Sequence, residues 1–191
     1  MLMAYYRRFR TLFEGYIVQR ETENEEDISG KMQKVCRNCG AHCCKYGGAI
    51  ATKLEVQAIL DSGYEDHFER IAQDVFITRW GADGICPYLL DAQCSIYEVR
   101  PLRCRAYPVL QVSTGEVLIA ECPLLSFVSA TEIERHNKLL SACPPSIVQP
   151  AAEYMEQHRE VLAMRSSRFD KLTVGEAIAA KKSPSEIPPQ V

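Results

Sequence analysis

No apolar run in this 191-residue chain reaches the roughly 18 residues that cross a bilayer as a helix, so no transmembrane segment is predicted. Nor is there an excess of positive charge. Lys and Arg total 22 against 25 Asp and Glu, the net charge is −3 and the pI is about 5.9, which argues against nucleic acid as a partner. The opening stretch MLMAYYRRFRTLFEGY lacks the uninterrupted apolar region of a secretory signal, because arginines break it. No glycine loop shaped to cradle phosphate stands out, no serine nucleophile with its base, and no internal repeat. A cytoplasmic protein is the expectation, and in that reducing compartment disulfides are rare.

What the chain does have is cysteine. Hydrophobic residues at 47% and charged residues at 25% are ordinary for a globular domain, so the nine cysteines are the distinguishing feature. Nine is odd, which suits complete disulfide pairing poorly. A dense pattern in a reducing compartment reads as metal binding or redox chemistry.

Four of the nine lie within CRNCGAHCC, as Cys36, Cys39, Cys43 and Cys44. On a helix turning about 100° per residue, Cys39 falls at about 300° and Cys43 at about 340° relative to Cys36, while Cys44 falls at about 80°. Three thiols then share a face and the fourth points elsewhere. Gly40, Gly47 and Gly48 make a knuckle the alternative to a helix, and neighbouring side chains diverge there too. Cys43 and Cys44 are therefore expected to serve in two directions. Cys44 would turn toward a second block, CPYLLDAQCSIYEVRPLRCRAYP, which holds Cys86, Cys94 and Cys104. Cys122 follows in ECP and would complete one of the sets. The loops of the second block are too long for a two-knuckle zinc finger, so the fold has to gather the ligands. Cys86, Cys122 and Cys143 each precede proline, a pairing that also closes the ferredoxin cysteine run. Arg100, Arg103 and Arg105 crowd the second block; guanidinium groups stabilise thiolate and offset the negative charge of a thiolate site. Arg103 and Arg105 are the expected cofactor-adjacent pair.

These blocks, in this order, resemble the YkgJ-like cysteine-cluster family, a zinc- or iron-chelating domain with a CxxCxxxCC signature. The resemblance spans roughly residues 36 to 124, and it implies that Cys36, Cys39, Cys43, Cys44, Cys86, Cys94, Cys104 and Cys122 are the metal ligands. Cys143 lies outside it and reads as a free structural thiol. His42 sits inside the first block but is outnumbered by thiols. His67, His136 and His158 read as surface residues, and Trp80 as core.

The expected architecture is mainly α with one small β-hairpin, a compact metal-stapled cysteine-cluster domain flanked by helices. Residues 1–30 would be an amphipathic helix and acidic linker, 31–145 the metal-binding domain, 146–182 C-terminal helices and 183–191 a disordered tail. The apolar stripe of residues 2–20 is read as packing within the protein ahead of membrane-surface contact. Thr52 with Glu55, Thr131 with Glu134, and Thr173 with Glu176 are the expected capping boxes, and residues 64–78 carry a helical stripe. Pro150 is expected to open a helix. The hairpin is placed near residues 106–121, with Gly115 in its turn.

Three functions compete. The first is an iron–sulfur protein, with electron transfer or metal and cluster handling as its use. The second is a zinc-stapled protein-interaction module without catalysis, and the third a thiol redox switch. A redox or accessory role beside a protein partner fits the pattern better than a stand-alone enzyme does.

Overall fold

The computed structural model describes residues 25–45, 48–80, 83–163 and 169–182. The expected helix at 2–20 and the tail at 183–191 lie outside them. The chain divides into residues 1–34 and residues 35–191, and every cysteine belongs to the second unit.

Helix α1, Glu25–Cys39, takes in part of the acidic stretch expected to be a linker. Its end is set by two left-handed residues, Gly40 at φ 78° and Ala41 at φ 50°. Ala41 N–H closes back on the Cys36 carbonyl at 2.7 Å, a glycine-stopped helix end. The chain then enters a one-turn 3-10 helix, His42–Lys45. Cys36 and Cys39 are thus on one helix, while Cys43 and Cys44 are on another piece of backbone. The knuckle alternative is the one realised.

Strand β1 (Ile50–Thr52) leads directly into helix α2 (Lys53–Asp61) through the expected capping box of Thr52 and Glu55. Gly63, at φ 84°, ends that helix as the sequence indicated. The helix expected over residues 64–78 does not form. Strands β2 (Phe68–Ala72) and β3 (Val75–Thr78) form a hairpin there, with the antiparallel sheet order β1-β3-β2. The stripe of Phe68, Ile71, Val75 and Phe76 also satisfies helical spacing. The β-branched run Val75, Ile77 and Thr78 prefers a pleated surface, and all three are buried. A register shift between Arg70 and Ala72 hides the alternation from a periodicity reading.

Strands β4 (Leu89–Leu90) and β5 (Gln93–Cys94) make a second, minimal hairpin. Its two turn residues, Asp91 at φ 48° and Ala92 at φ 59°, have the conformation of a type I′ turn. A 3-10 turn, Tyr97–Val99, and helix α3, Leu102–Ala106, follow. The hairpin expected near 106–121 is present as β6 (Val109–Gln111) and β7 (Val117–Ala120), and β8 (Lys171–Thr173) adds a third strand to it.

Helix α4 (Ala130–Ser141) is capped by Ser129 and Glu132, not by Thr131 and Glu134. Both pairs have the right spacing; Val128 is buried, so the helix entry is anchored two residues earlier. Helix α5 (Pro145–Gln157) starts at Pro145 and contains Pro150 within it. Proline at the first helical position loses no hydrogen bond, so Pro145 outcompetes Pro150 as the opening residue. Helices α6 (Arg159–Ala163) and α7 (Val174–Lys182) complete the described chain, α7 with the expected Thr173 and Glu176 box. Helix therefore shares the fold with three small antiparallel sheets among the described residues, where one hairpin was expected.

Candidate metal centre

All nine cysteines are free thiols. The two cysteine blocks are tied together by backbone: the Cys86 amide donates to the Cys44 carbonyl at 2.8 Å. From Cys86 the chain turns, with Leu89 N–H bonded to the Cys86 carbonyl at 2.9 Å, and the β4–β5 ribbon brings Cys94 opposite Leu89. Cys86 and Cys94 both pack against one buried apolar cluster that includes Val56, Ile59, Tyr88 and Ile96. Cys104 arrives on α3, and the start of α3 is held by α2. Buried Glu55 accepts the Leu102 amide at 2.6 Å while its other oxygen accepts both the amide and the hydroxyl of Thr52. One carboxylate thus closes the cap of one helix and anchors the next. Cys122, buried, sits ahead of the 3-10 turn Pro123–Phe127.

The thiols sense one another. Burial pushes the Cys104 thiol well up, and Cys44, Cys86 and Cys94 add to the rise. Cys94 is pushed up to about 12, by burial first and then by Cys44 and Cys86. Cys86 rises to about 11 by burial, with Cys44 contributing. Cys44 is raised chiefly by a hydrogen bond with the neighbouring Cys43 thiol and by burial. Cys36 rises to about 11 through burial, with Cys39, Cys44 and Cys122 acting in the same direction. Cys122 is raised by burial and, more weakly, by Cys39. Cys44 acts on Cys86, Cys94 and Cys104, and it is also coupled to Cys36 and Cys39, so it links the thiols of the second block to Cys36, Cys39 and Cys122. The Cys143 sulfur faces the Leu139 carbonyl at 3.8 Å, and its charge acts on Arg103.

Donors converge on the sulfurs as well. The amides of Tyr88, Ile96 and Leu124 donate to Cys86, Cys94 and Cys122, each two residues on. Proline after Cys86 and Cys122 has no N–H of its own, which leaves the next amide as the donor. The Thr78 hydroxyl bonds Cys86 and also accepts the Ala49 amide at 2.8 Å. Gly48 fits beside it only without a side chain, because a Cβ there would meet Thr78 Oγ1 at 2.6 Å and Ile77 Cγ1 at 2.8 Å.

Arg100 faces four of the thiols. Its charge lowers Cys36, Cys44, Cys94 and Cys104 alike. It is held by Tyr97, whose carbonyl accepts Arg100 Nε at 2.7 Å and whose ring lies 3.4 Å beneath the guanidinium. Arg103 instead bonds Gln111 at 2.8 Å and lies among Cys143, Glu55 and Cys104; Arg105 is half-buried on α3. Tyr97 three residues before Arg100 was the available signal, since that spacing stacks the two on one turn. His42 makes an edge contact with Phe169 at 5.7 Å. His136 is buried and not at the surface as expected, and His67 and His158 are half-buried against Tyr88 and Tyr154. Trp80 is half-buried and edge-on to His158.

Among the described residues, no three His, Cys, Asp or Glu side chains are already closed to ion-binding geometry. Four bonds of ~2.3 Å to one tetrahedral ion set sulfurs roughly 3.8 Å apart, and neutral thiols have nothing to draw them to that spacing. The donor chemistry fits zinc or iron: thiols of soft character, amides aimed at sulfur and one offsetting guanidinium.

A search of curated proteins and a search of solved structures each found no significant match. A family model named CxxCxxCC, described as a putative zinc- or iron-chelating domain, matches residues 35–143. This chain's own spacing, Cys36-x2-Cys39-x3-Cys43-Cys44, is one residue longer than that label between the second and third cysteines. With more than half of its length matched and both cysteine blocks inside the match, the chain belongs to the CxxCxxCC family, whose domain carries that description.

Proposed function

We propose that the chain holds an iron–sulfur cluster through cysteine thiolates and uses it for electron transfer or cluster handling beside a protein partner. The observation that carries this reading is the gathering of thiols from four separated segments, with backbone amides directed at the sulfurs of Cys86, Cys94 and Cys122. Hydrogen bonds to sulfur and burial are the levers by which proteins tune such clusters. The ligands would come from Cys36, Cys39, Cys43, Cys44, Cys86, Cys94, Cys104 and Cys122. Arg100 would offset their charge, with Arg103 beside Cys104 and Arg105 one residue beyond it.

A zinc-stapled interaction module is the second reading. It is favoured by the packing of Cys86 and Cys94 on the apolar cluster, where a structural ion would stitch the two blocks. Bound there, a cluster supplies one-electron chemistry, and zinc supplies folding energy.

Anaerobic purification followed by iron, acid-labile sulfide and zinc analysis tests both. Brown protein with iron and sulfide is expected. Colourless protein with stoichiometric zinc overturns the cluster in favour of the second reading, and no retained or reconstituted metal overturns both.

A further inference from the structure

We propose that residues 169–182 are a releasable strap over the Cys122 arm. Seated, the strap keeps the Cys122 thiol closed. Opened, it frees that thiol while the core around Cys86 and Cys94 stays folded. One consequence, faster exchange of an ion held at Cys122, rests on the thiolate reading above; the strap itself does not.

The strap fastens both flanks of Cys122. Before it, β8 pairs antiparallel with β7, Lys171 opposite Ala120, and the Glu121 amide donates to the Asp170 carbonyl at 2.9 Å. The ladder therefore runs up to the residue that precedes Cys122. After it, Lys181 on α7 donates through Nζ to the Leu125 carbonyl, and the Leu125 amide is itself bonded to the Cys122 carbonyl at 2.9 Å. The strap also meets the first cysteine block where it begins. Phe169 lies edge-on to His42 with ring centroids 5.7 Å apart, and His42 stands next to Cys43. One continuous segment thus ties the Cys122 arm to the knuckle, and it lies beyond the span 35–143 that the family model matches.

Little apolar burial holds this segment down. Within it only Ala177 is fully buried, and that residue contributes a single methyl group. Leu172 and Ile178 are half-buried, while Lys171, Thr173, Gly175 and Glu176 are exposed. The elements it packs on, β7 and α4, belong to the core: Ile119, Ile133 and Leu140 are 0% exposed. Segments with few buried apolar contacts open at a lower free energy than the whole fold, so the strap can lift while β7 and α4 stay in place. Cys122 is 5% exposed with the strap seated. Lifting removes the ladder bond before it and the Lys181 bond after it.

The test is alkylation of the full-length protein, reduced and stripped of metal, with iodoacetamide, read cysteine by cysteine by mass spectrometry. Lys181→Met keeps the side-chain stem and removes the donor at an exposed position; Ala177→Asp places a charge at the buried methyl. Cys122 should react about five-fold faster in Lys181→Met, the scale of one lost hydrogen bond, and faster still in Ala177→Asp. Cys86 and Cys94 should keep their wild-type rates in Lys181→Met. Lys181→Arg, which retains a donor, should restore the slow rate. Loaded with zinc(II) alone, Lys181→Met should also release the ion to a chelator faster than the wild type does.

Unchanged Cys122 reactivity in Lys181→Met overturns the strap while the thiolate reading stands. An equal rise at Cys86, Cys94 and Cys122 in that variant shows general loosening and overturns the strap as well. If the wild type binds no zinc or iron, the thiolate reading falls, and the alkylation rates still decide the strap.

Discussion

The backbone amide of Cys86 donates to the carbonyl of Cys44 at 2.8 Å, so two cysteines far apart in sequence are joined before any metal is considered. This bond ties the backbone of the first cysteine block to that of the second. The segments that carry thiols are connected along the chain by β1, α2, β2 and β3 and by the β6–β7 hairpin. A bound ion or cluster would add cross-links among them, and thiolate–metal binding contributes on the order of 10 kcal/mol in small zinc peptides. Removal of the metal is expected to lower Tm markedly and to speed amide exchange at residues 83–105 before it does so in α4. An unchanged Tm after verified metal loss would show that the centre adds nothing to folding.

Glu55→Gln should destabilise the protein by roughly 2 kcal/mol. The carboxylate accepts three bonds, from the Thr52 amide, the Thr52 hydroxyl and the Leu102 amide. A carboxamide has one accepting oxygen, so either the α2 cap or the Leu102 amide would face an NH2 group and stay buried without an acceptor. Urea denaturation with wild-type slope and a lower midpoint is the expected result; an unshifted midpoint would show that α3 is anchored by other means.

Thr78→Val keeps the shape and removes the hydroxyl. The Ala49 amide then loses its acceptor and the Cys86 sulfur a donor. A cost of about 1–3 kcal/mol follows from leaving the amide unsatisfied, together with weaker metal retention. Thr78→Ser separates the two effects. It restores both bonds, so its metal content should match the wild type although its stability falls through the lost methyl group.

Arg100→Gln should weaken metal binding by about ten-fold or more, the usual scale for groups that support metal ligands, with little change in the circular dichroism spectrum. The charge acts on four thiols. Arg100→Lys keeps a charge and loses the planar stacking on Tyr97, so it should recover part of the affinity. Equal affinity in the wild type and the Gln variant would remove Arg100 from any role at the centre.

The cap of α7 gives the protein a local acid sensitivity. Bonds from the Thr173 hydroxyl and amide hold the Glu176 carboxyl below its ordinary range. A group whose folded value is depressed contributes stability above its unfolded value and loses it as pH falls through the folded one. The segment Lys171–Lys182 should therefore loosen first as pH drops through the carboxylate range, seen as faster amide exchange there. Glu176→Gln, which retains an accepting oxygen and cannot titrate, should flatten that dependence.

Several features were legible in residue order alone because their causes are local. Thr52 with Glu55 and Thr173 with Glu176 capped the helices they announced, since a capping box closes within four residues. The β6–β7 hairpin formed around Gly115 because a tight turn needs a residue that tolerates positive φ. The expected divergence of Cys43 and Cys44 is not what the fold shows: on the 3-10 turn His42–Lys45 the Cys43 thiol is the strongest influence on Cys44, through a hydrogen bond between the two. Other outcomes belonged to tertiary structure. Residues 68–78 carried a stripe that suits a helix, and pairing with β1 made them strands; the energy that decided this is cross-strand burial, which no local window contains. Arg100 and Arg103 looked alike in sequence. Only the fold set Arg100 on Tyr97, facing Cys36, Cys44, Cys94 and Cys104, and Arg103 on Gln111, beside Cys104 and Cys143. The sequence determined that thiols would dominate this protein's chemistry, and the packing of strands and helices between the cysteine blocks decided which thiols become neighbours.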